Sequence, residues 1–66
     1  MNIQLNGNPH EIPDHSTAQD LVEQLGLGDK RLAMEVNREI VPRTTYAEHL
    51  LQEGDEVEIV HAIGGG

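Results

Sequence analysis

Alternation of apolar and polar residues predicts three strands that each bury one face. The segments cover residues 1–5, 32–36 and 56–63. A period of two places every second side chain on the same side of a sheet. The residues assigned to the buried faces are Ile3, Leu5, Leu32, Met34, Val36, Val57 and Ile59. The opposite face of the last strand then carries Glu58, Val60 and Ala62, so that face is partly apolar.

Two shorter strands are also predicted, each next to a turn. Residues 9–13 contain two prolines, which cannot donate ladder hydrogen bonds, so this segment is expected at an edge of the sheet. Asn6-Gly7 before it is a strong signal for a tight turn, because both residues tolerate positive φ. Residues 40–41 form the other short strand, after a turn at residues 37–39 and before Pro42.

The pattern changes to a helical spacing over residues 17–25. One apolar stripe is formed by Ala18, Leu21, Val22 and Leu25. Thr17 is a good N-cap, and Asp20 places an acid in the first turn, near the positive end of the helix dipole. Gly26 and Gly28 are expected to stop the helix. Residues 44–51 form a less clear, short helical segment that turns Tyr46, Leu50 and Leu51 toward the core.

One main helix against a four- or five-stranded sheet is an α+β sandwich of two layers. The domain spans residues 1–63, and residues 64–66 form a glycine tail that is expected to be flexible. A chain of 66 residues buries only a thin core, which leaves little room for a deep substrate pocket.

Composition excludes several classes of function. Cysteine is absent, which excludes disulfides, thiolate metal sites and a cysteine nucleophile. Twelve acidic residues face four basic ones, a formal charge of −8, which argues against a nucleic-acid partner. The charge suits either plain solubility or docking on a basic protein surface. We see neither a signal peptide nor an apolar run long enough for a membrane span, so we expect a cytoplasmic protein with no membrane partner.

Candidate catalytic and metal-binding residues are scattered along the chain. The four histidines lie in four segments with no close pair, so no metal site is expected. Asp14, His15 and Ser16 are adjacent in sequence, which is no evidence for a catalytic triad. Four acids lie close to the last strand: Glu53, Asp55, Glu56 and Glu58. They form either a solvated edge that resists edge-to-edge pairing or a surface complementary to a basic partner.

The three glycines that follow the last strand are the most informative feature. Residues 62–66 extend for roughly 16 Å when fully stretched, and the glycines Gly64, Gly65 and Gly66 lack the side chains that would block a narrow channel. The α-carboxylate of Gly66 is ionised at neutral pH and is a poor electrophile. A partner enzyme must therefore activate it, since this chain has no apparent means of doing so. Glu58, Val60 and Ala62 beside the tail are either ordinary exposed residues or a partner-docking patch.

The chain resembles the ThiS family of sulfur carriers over its whole length. Residues 1–7 are similar to the family's first strand and turn, and residues 17–25 to its helix. Residues 33–43, Ala-Met-Glu-Val-Asn-Arg-Glu-Ile-Val-Pro-Arg, are the most specific stretch, similar to A-x-x-[VI]-N-x-x-[IV]-V-P-R. Gly54-Asp55 and the Gly-Gly end complete the match.

The resemblance implies a ubiquitin-like β-grasp fold, with the first and last strands parallel at the centre of a mixed sheet. It implies that a ThiF-like adenylyltransferase uses ATP and magnesium to adenylate the carboxylate of Gly66, reached through Gly64 and Gly65. Sulfur from a cysteine-derived persulfide then yields a thiocarboxylate, which a ThiG-like thiazole synthase consumes in thiamine biosynthesis. The carrier is implied to be a monomer that binds no cofactor and is not itself an enzyme.

Three alternatives stay open at this point. The small subunit of molybdopterin synthase shares this fold, tail and chemistry, and other ubiquitin-like sulfur carriers feed other products. A plain ubiquitin-like interaction module would carry the tail without using it. A small enzyme is disfavoured by the chain's size and by the missing cysteine.

Overall fold

A computed structural model describes residues 1–61 of the chain. The elements are β1 (Asn2–Leu5), β2 (Asn8–Glu11), α1 (Ala18–Gln24), β3 (Leu32–Val36), β4 (Glu39–Val41), a 3₁₀ helix (Arg43–Glu48) and β5 (Glu56–His61). The predicted order of elements is therefore confirmed. Residues 62 and 63 of the predicted last strand, and the tail at 64–66, lie outside the described residues.

The five strands form one mixed sheet in the order β2-β1-β5-β3-β4. β1 and β5 are parallel, and the other neighbours are antiparallel. The last described strand is thus the central strand of the sheet, with the first strand beside it, which is the arrangement that the resemblance implies. Two layers, one helix and one five-stranded sheet confirm the α+β prediction.

Both ends of α1 are defined by local hydrogen bonds. At the start, Thr17 and Asp20 form a capping box, in which the Asp20 N–H donates to Thr17 Oγ1 at 3.1 Å and the Thr17 N–H donates to Asp20 Oδ2 at 3.0 Å. At the end, the Gly26 N–H donates to the Glu23 carbonyl at 3.0 Å, and the Leu27 N–H donates to the Val22 carbonyl at 2.8 Å. These two bonds form a Schellman motif, and Gly26 supplies its positive φ of 74°.

The core lies between the inner face of the sheet and the helix. Its buried residues are Ile3, Ile12, Ala18, Leu21, Val22, Met34, Val36, Val41, Tyr46, Leu51, Val57 and Ile59. The predicted inner faces of the strands are confirmed. The assignment of Leu50 to the core is wrong, since its side chain is 52% exposed while that of Leu51 is buried. Both residues follow the end of the 3₁₀ helix, in extended chain where adjacent side chains point to opposite sides.

The predicted bounds of the second strand are also wrong. The strand is Asn8–Glu11, one residue earlier at its start and two at its end than the predicted segment 9–13. The two-residue turn at Asn6-Gly7, with φ of 50° and 84°, pairs Leu5 with Asn8 and Asn2 with Glu11. Beyond that pair, Met1 and Ile12 still exchange two backbone hydrogen bonds of 2.6 and 2.9 Å, and the chain then leaves the ladder at Pro13, which has no N–H to donate. The predicted edge position of this strand is confirmed.

Candidate functional site

In the sequence, β5 is followed by the glycines to which the sequence analysis assigns a function, residues 64–66. On one side it pairs with β3 up to the pair of Leu32 with His61. On the other side its pairing with β1 ends at Leu5 and Val57. Residue 61, the last that the structure describes, therefore lies in the middle of the sheet, beside β3 and beyond the end of β1.

The outer face of the sheet, which the helix does not cover, carries an open groove near the end of β5. Register places Val60 opposite Ala33 and Glu58 opposite Glu35, while Glu35 also faces Ile40 on β4. The side chains of Ile40 and Val60 are 75% and 72% exposed. We call this surface the outer groove; it is lined by Asn6, Ala33, Glu35, Ile40, Glu58 and Val60.

The outer groove contains two residues of the docking patch proposed from sequence and adds four that were missed. Glu58 and Val60 lie together on it, whereas Ala62, Gly64, Gly65 and Gly66 lie outside the described residues. Sequence analysis missed Asn6, Ala33, Glu35 and Ile40 as members of this surface. Alternation along β3 already turned Ala33 and Glu35 away from the core, but only the strand pairing puts them beside β5.

The groove contains two acidic side chains on neighbouring strands, and Arg38 lies beside one of them, Glu58, in the adjoining pocket. Glu35 and Glu58 are direct cross-strand partners, and like charges in that position repel each other. Their exposed neighbours Val60 and Ile40 are apolar, so neither offers a positive charge in return. The surface is therefore complementary to one that combines a cation with apolar side chains.

Two of the four acids near the last strand have structural roles instead. Asp55 is buried, and its carboxylate accepts hydrogen bonds from Asn37 Nδ2 at 3.0 Å and from the Gln52 N–H at 2.8 Å. Glu53 Oε1 accepts from the Asn2 N–H at 3.0 Å. The acidic cluster predicted from sequence is thus two surface charges, Glu56 and Glu58, and two hydrogen-bonding acids.

Two asparagines at positive φ hold β5 through their side chains. Asn37 lies in the β3–β4 turn, and its Oδ1 accepts from the N–H of Glu56, the first residue of β5, at 3.0 Å. Asn6 lies in the β1–β2 turn, and it reaches the later part of the strand at Ile59. Its Oδ1 accepts from the Ile59 N–H at 2.8 Å, and its Nδ2 donates to the Ile59 carbonyl at 3.2 Å.

Residues 1–61 bring together no group of three or more histidine, aspartate or glutamate side chains able to hold a metal ion. His10 contacts the amide oxygen of Gln24 at 3.2 Å. Burial raises the pKa of the Tyr46 phenol above its ordinary 10.0, and the nearby Arg43 guanidinium partly offsets that shift. No helix in the described part of the chain is long and apolar enough to span a membrane.

The chain is similar to proteins of known name over nearly its whole length. It is 40% identical to the sulfur carrier protein ThiS of Bacillus subtilis, covering 97% of this chain and 98% of that protein. It is 44% identical to a thiazole synthase of Magnetococcus marinus over all 66 residues, and it spans only 20% of the length of that protein. A thiazole synthase of Paramagnetospirillum magneticum, 38% identical, is likewise matched over 20% of its length.

The fold is shared with a solved structure. The crystal structure of the thiamine biosynthesis protein ThiS from Geobacter metallireducens aligns with a TM-score of 0.84 at 26% identity, and the alignment covers 100% of both chains. This agreement confirms the β-grasp fold expected from the resemblance. The family description that matches residues 3–66 is that of the ThiS family. The chain therefore belongs to the ThiS family.

Proposed function

We propose that this chain is a sulfur carrier of thiamine biosynthesis and that its cargo is a thiocarboxylate at Gly66. The observation that carries the proposal is the position of β5. A central strand, paired on both sides, leads within a few residues to Gly64, Gly65 and Gly66. In this proposal residues 1–63 form the docking domain, and the three glycines form the arm that enters the active site of a partner.

The chemistry of the carboxylate determines what the partner must supply. A carboxylate oxygen of Gly66 attacks the α-phosphorus of ATP, and pyrophosphate leaves, which gives an acyl-adenylate. Persulfide sulfur derived from cysteine then attacks the acyl carbon and displaces AMP. A thiol cleaves the resulting acyl disulfide, which leaves the thiocarboxylate and a new disulfide. We assign ATP, magnesium and the adenylation step to a ThiF-like adenylyltransferase, since the chain has neither cysteine nor, in residues 1–61, a gathered set of metal ligands.

The outer groove is the surface that we propose for docking that adenylyltransferase. Burial of Val60 and Ile40 supplies apolar contact area, and the pair of Glu35 and Glu58 favours a cationic side chain between them. A second copy of this chain is a poor occupant, because a two-fold contact would bring four of these glutamates together on a molecule of formal charge −8. We therefore propose a monomeric carrier that meets a basic partner surface.

Thiazole synthase is the acceptor that the comparisons favour. In Magnetococcus marinus a segment similar to this whole chain lies within a protein named thiazole synthase. Two modules on one polypeptide meet at a high effective concentration, which suits a donor and acceptor of sulfur. The same names favour thiazole over molybdopterin as the destination of the sulfur. We propose the cytoplasm as the compartment, because adenylation draws on ATP.

The test is a loading assay that exploits the absence of cysteine. The chain, ending at Gly66, is incubated with ATP, magnesium, a persulfide donor, a thiol and a ThiF-like adenylyltransferase, then treated with iodoacetamide. The unloaded chain has no thiol to alkylate, so an iodoacetamide adduct at the C-terminal peptide reports the thiocarboxylate. Alkylation is needed because oxidation of Met1 or Met34 changes the nominal mass by the same amount as exchange of oxygen for sulfur.

Two matched chains serve as controls. One lacks Gly65 and Gly66, and the other carries one additional alanine after Gly66. We expect adduct only on the chain that ends at Gly66, and we expect thiazole synthase to consume it. If the truncated chain still supports thiazole formation, the carrier proposal fails. If the loaded chain serves molybdopterin formation and not thiazole formation, the assignment to thiamine fails.

A further inference from the structure

The side chain of Asn6 takes over the pairing of β5 at the point where β1 turns away. Backbone pairing of the two strands ends at Leu5 and Val57, and the Asn6 N–H then donates to the Val57 carbonyl at 2.9 Å. The next group of β5 that faces this side is the peptide of Ile59. Asn6 supplies one acceptor and one donor to it, so its side-chain amide substitutes for a missing residue of the strand.

We propose that Asn6 is a positioning residue for the C-terminal arm, because it sets the last residue of β5 that is held from both sides. The inference rests on the proposed function. With Asn6 in place, Gly66 lies seven positions beyond Ile59 in the sequence, a span of roughly 23 Å when fully extended. Without its side chain, two-sided pairing ends at Val57, and only β3 holds residues 58–61. The end of β5 is then held less firmly, and a smaller fraction of docked carriers presents the carboxylate correctly.

A turn alone does not account for these contacts. The β1–β2 turn needs a residue that tolerates a φ of 50° at position 6, and glycine meets that requirement without a side chain. The two hydrogen bonds to Ile59 are therefore additional to the turn. Both lie in a partly buried environment, where loss of one partner leaves a backbone N–H and a carbonyl poorly satisfied.

Asn37 provides a matched control on the same strand. It also has a positive φ in a two-residue turn, and its side chain also accepts a hydrogen bond from β5. That bond is to Glu56, at the opposite end of β5 from the arm. Replacing either Asn6 or Asn37 with glycine therefore removes an asparagine side chain that holds β5. Only the replacement of Asn6 affects the end of β5 from which the arm leaves.

The test compares Asn6→Gly with Asn37→Gly, at a temperature where thermal denaturation shows both to be folded. Amide hydrogen exchange is measured by NMR along β5 in the free chain. We expect Asn6→Gly to speed exchange at Ile59 by about fivefold or more, the equivalent of one lost hydrogen bond. We expect Asn37→Gly to speed exchange at Glu56 while leaving Ile59 within about twofold of the original chain.

Loading of the carboxylate is then measured at saturating adenylyltransferase. We expect Asn6→Gly to load at least about threefold more slowly at saturation, where any change in docking at the outer groove no longer limits the rate, and Asn37→Gly to load at the original rate. Asn6→Asp, which keeps the acceptor and loses the donor, should fall between Asn6→Gly and the original chain in both measurements. Equal loading of the two glycine variants would overturn the inference, as would unchanged exchange at Ile59 in Asn6→Gly. Failure of the original chain to load is a failure of the proposed function, and it is distinguishable because the exchange measurement needs no partner.

Discussion

The side-chain amide of Asn37 donates to the buried carboxylate of Asp55 at 3.0 Å, which ties the β3–β4 turn to the turn before β5. We expect Asp55→Ala to lower the free energy of unfolding by about 1–3 kcal/mol, since both Asn37 Nδ2 and the Gln52 N–H lose an acceptor. Urea denaturation measures this loss. Glu53→Ala is the control, because Glu53 accepts an exposed backbone N–H and should cost about 0.5 kcal/mol or less. Equal losses for the two variants would contradict this role of Asp55.

Gly26 and Gly28 follow the same helix, and substitutions at the two should differ in effect. Gly26→Ala forces a side chain onto a φ of 74° and should cost about 1 kcal/mol. At Gly28 no positive φ is required, and an added Cβ would lie 3.7 Å from the Glu23 Cγ, an ordinary contact. We therefore expect Gly28→Ala to be neutral or slightly stabilising. Thermal denaturation of the two variants checks the order, and a larger loss at Gly28 would show that the Schellman motif does not define the helix end.

Arg43 should not be replaceable by lysine. Its guanidinium donates to the Lys30 carbonyl at 2.7 Å and to the Gly28 carbonyl at 2.5 Å, and it lies 5.7 Å from the centre of the Tyr46 ring. Lysine lacks the planar fork needed to bind two carbonyls at once, so we expect Arg43→Lys to destabilise the chain by about 1 kcal/mol. Limited proteolysis should also cut residues 26–31 faster. Arg31→Lys, an exposed substitution of the same kind, should change neither measurement.

Alkaline pH should destabilise the chain through Tyr46. Burial raises the pKa of its phenol above 10.0 in the folded state, so the unfolded chain loses this proton first as pH rises. The stability due to the neutral phenol is fully present below pH 10 and is lost as pH rises through the raised pKa of the folded state. Denaturation midpoints are measured between pH 8 and pH 11 at steps of about half a pH unit. They should fall less for Tyr46→Phe than for the original chain. Identical pH profiles would contradict the shift.

Docking through the outer groove should depend on Val60 and not on Leu50. Both are exposed apolar residues, but Leu50 lines a separate groove with Met1 and Asp14. We expect Val60→Asp to raise the KM for loading by about tenfold or more, because it removes apolar contact and adds a third carboxylate beside Glu35 and Glu58. Leu50→Asp adds the same charge elsewhere and should leave the KM within about twofold. A larger effect at Leu50 would move the docking surface away from the outer groove.

Local patterns predicted those parts of the fold that local forces determine. The stripe of α1, its Thr17 cap and its Gly26 stop all act within a few residues, and the structure confirms them. The assignment of Leu50 to the core is wrong because the side-chain period changes from helical to extended at the end of the 3₁₀ helix. The pattern of apolar residues does not show at which residue this change occurs. The end of β2 was misplaced because it depends on the register with β1, a different segment.

The candidate site was predictable along β5 but not across it. Alternation alone placed Glu58 and Val60 on the outer face. Ala33, Glu35 and Ile40 join them through the register of β3 with its neighbours, which no single segment encodes. The tail was predicted from its composition, and its chemistry stays a proposal, since residues 62–66 lie outside the described part of the chain.

The stretch that carried the family resemblance has a structural explanation. Within residues 33–43, Asn37 and Arg38 adopt positive φ in the turn, Val41 is buried in the core, and Arg43 binds the loop carbonyls of Gly28 and Lys30. Its outward-facing residues, Ala33, Glu35 and Ile40, line the outer groove. Residues 33–43 thus meet requirements of the fold and also line the outer groove. They contain none of the atoms proposed to react.

The central position of β5 in the sheet has a consequence for folding during synthesis. During synthesis β1 and β2 leave the ribosome first, but β1 borders only β2 until residues 56–61 have been made. Within the sheet, β3 and β4 likewise pair with neither strand of the first hairpin and are joined to it through β5. The sheet is therefore completed only after β5 has emerged, so a nascent chain that lacks β5 has no completed outer groove. In the proposed function, docking at the outer groove and the presence of the loading end are therefore coupled by the order in which the strands are made.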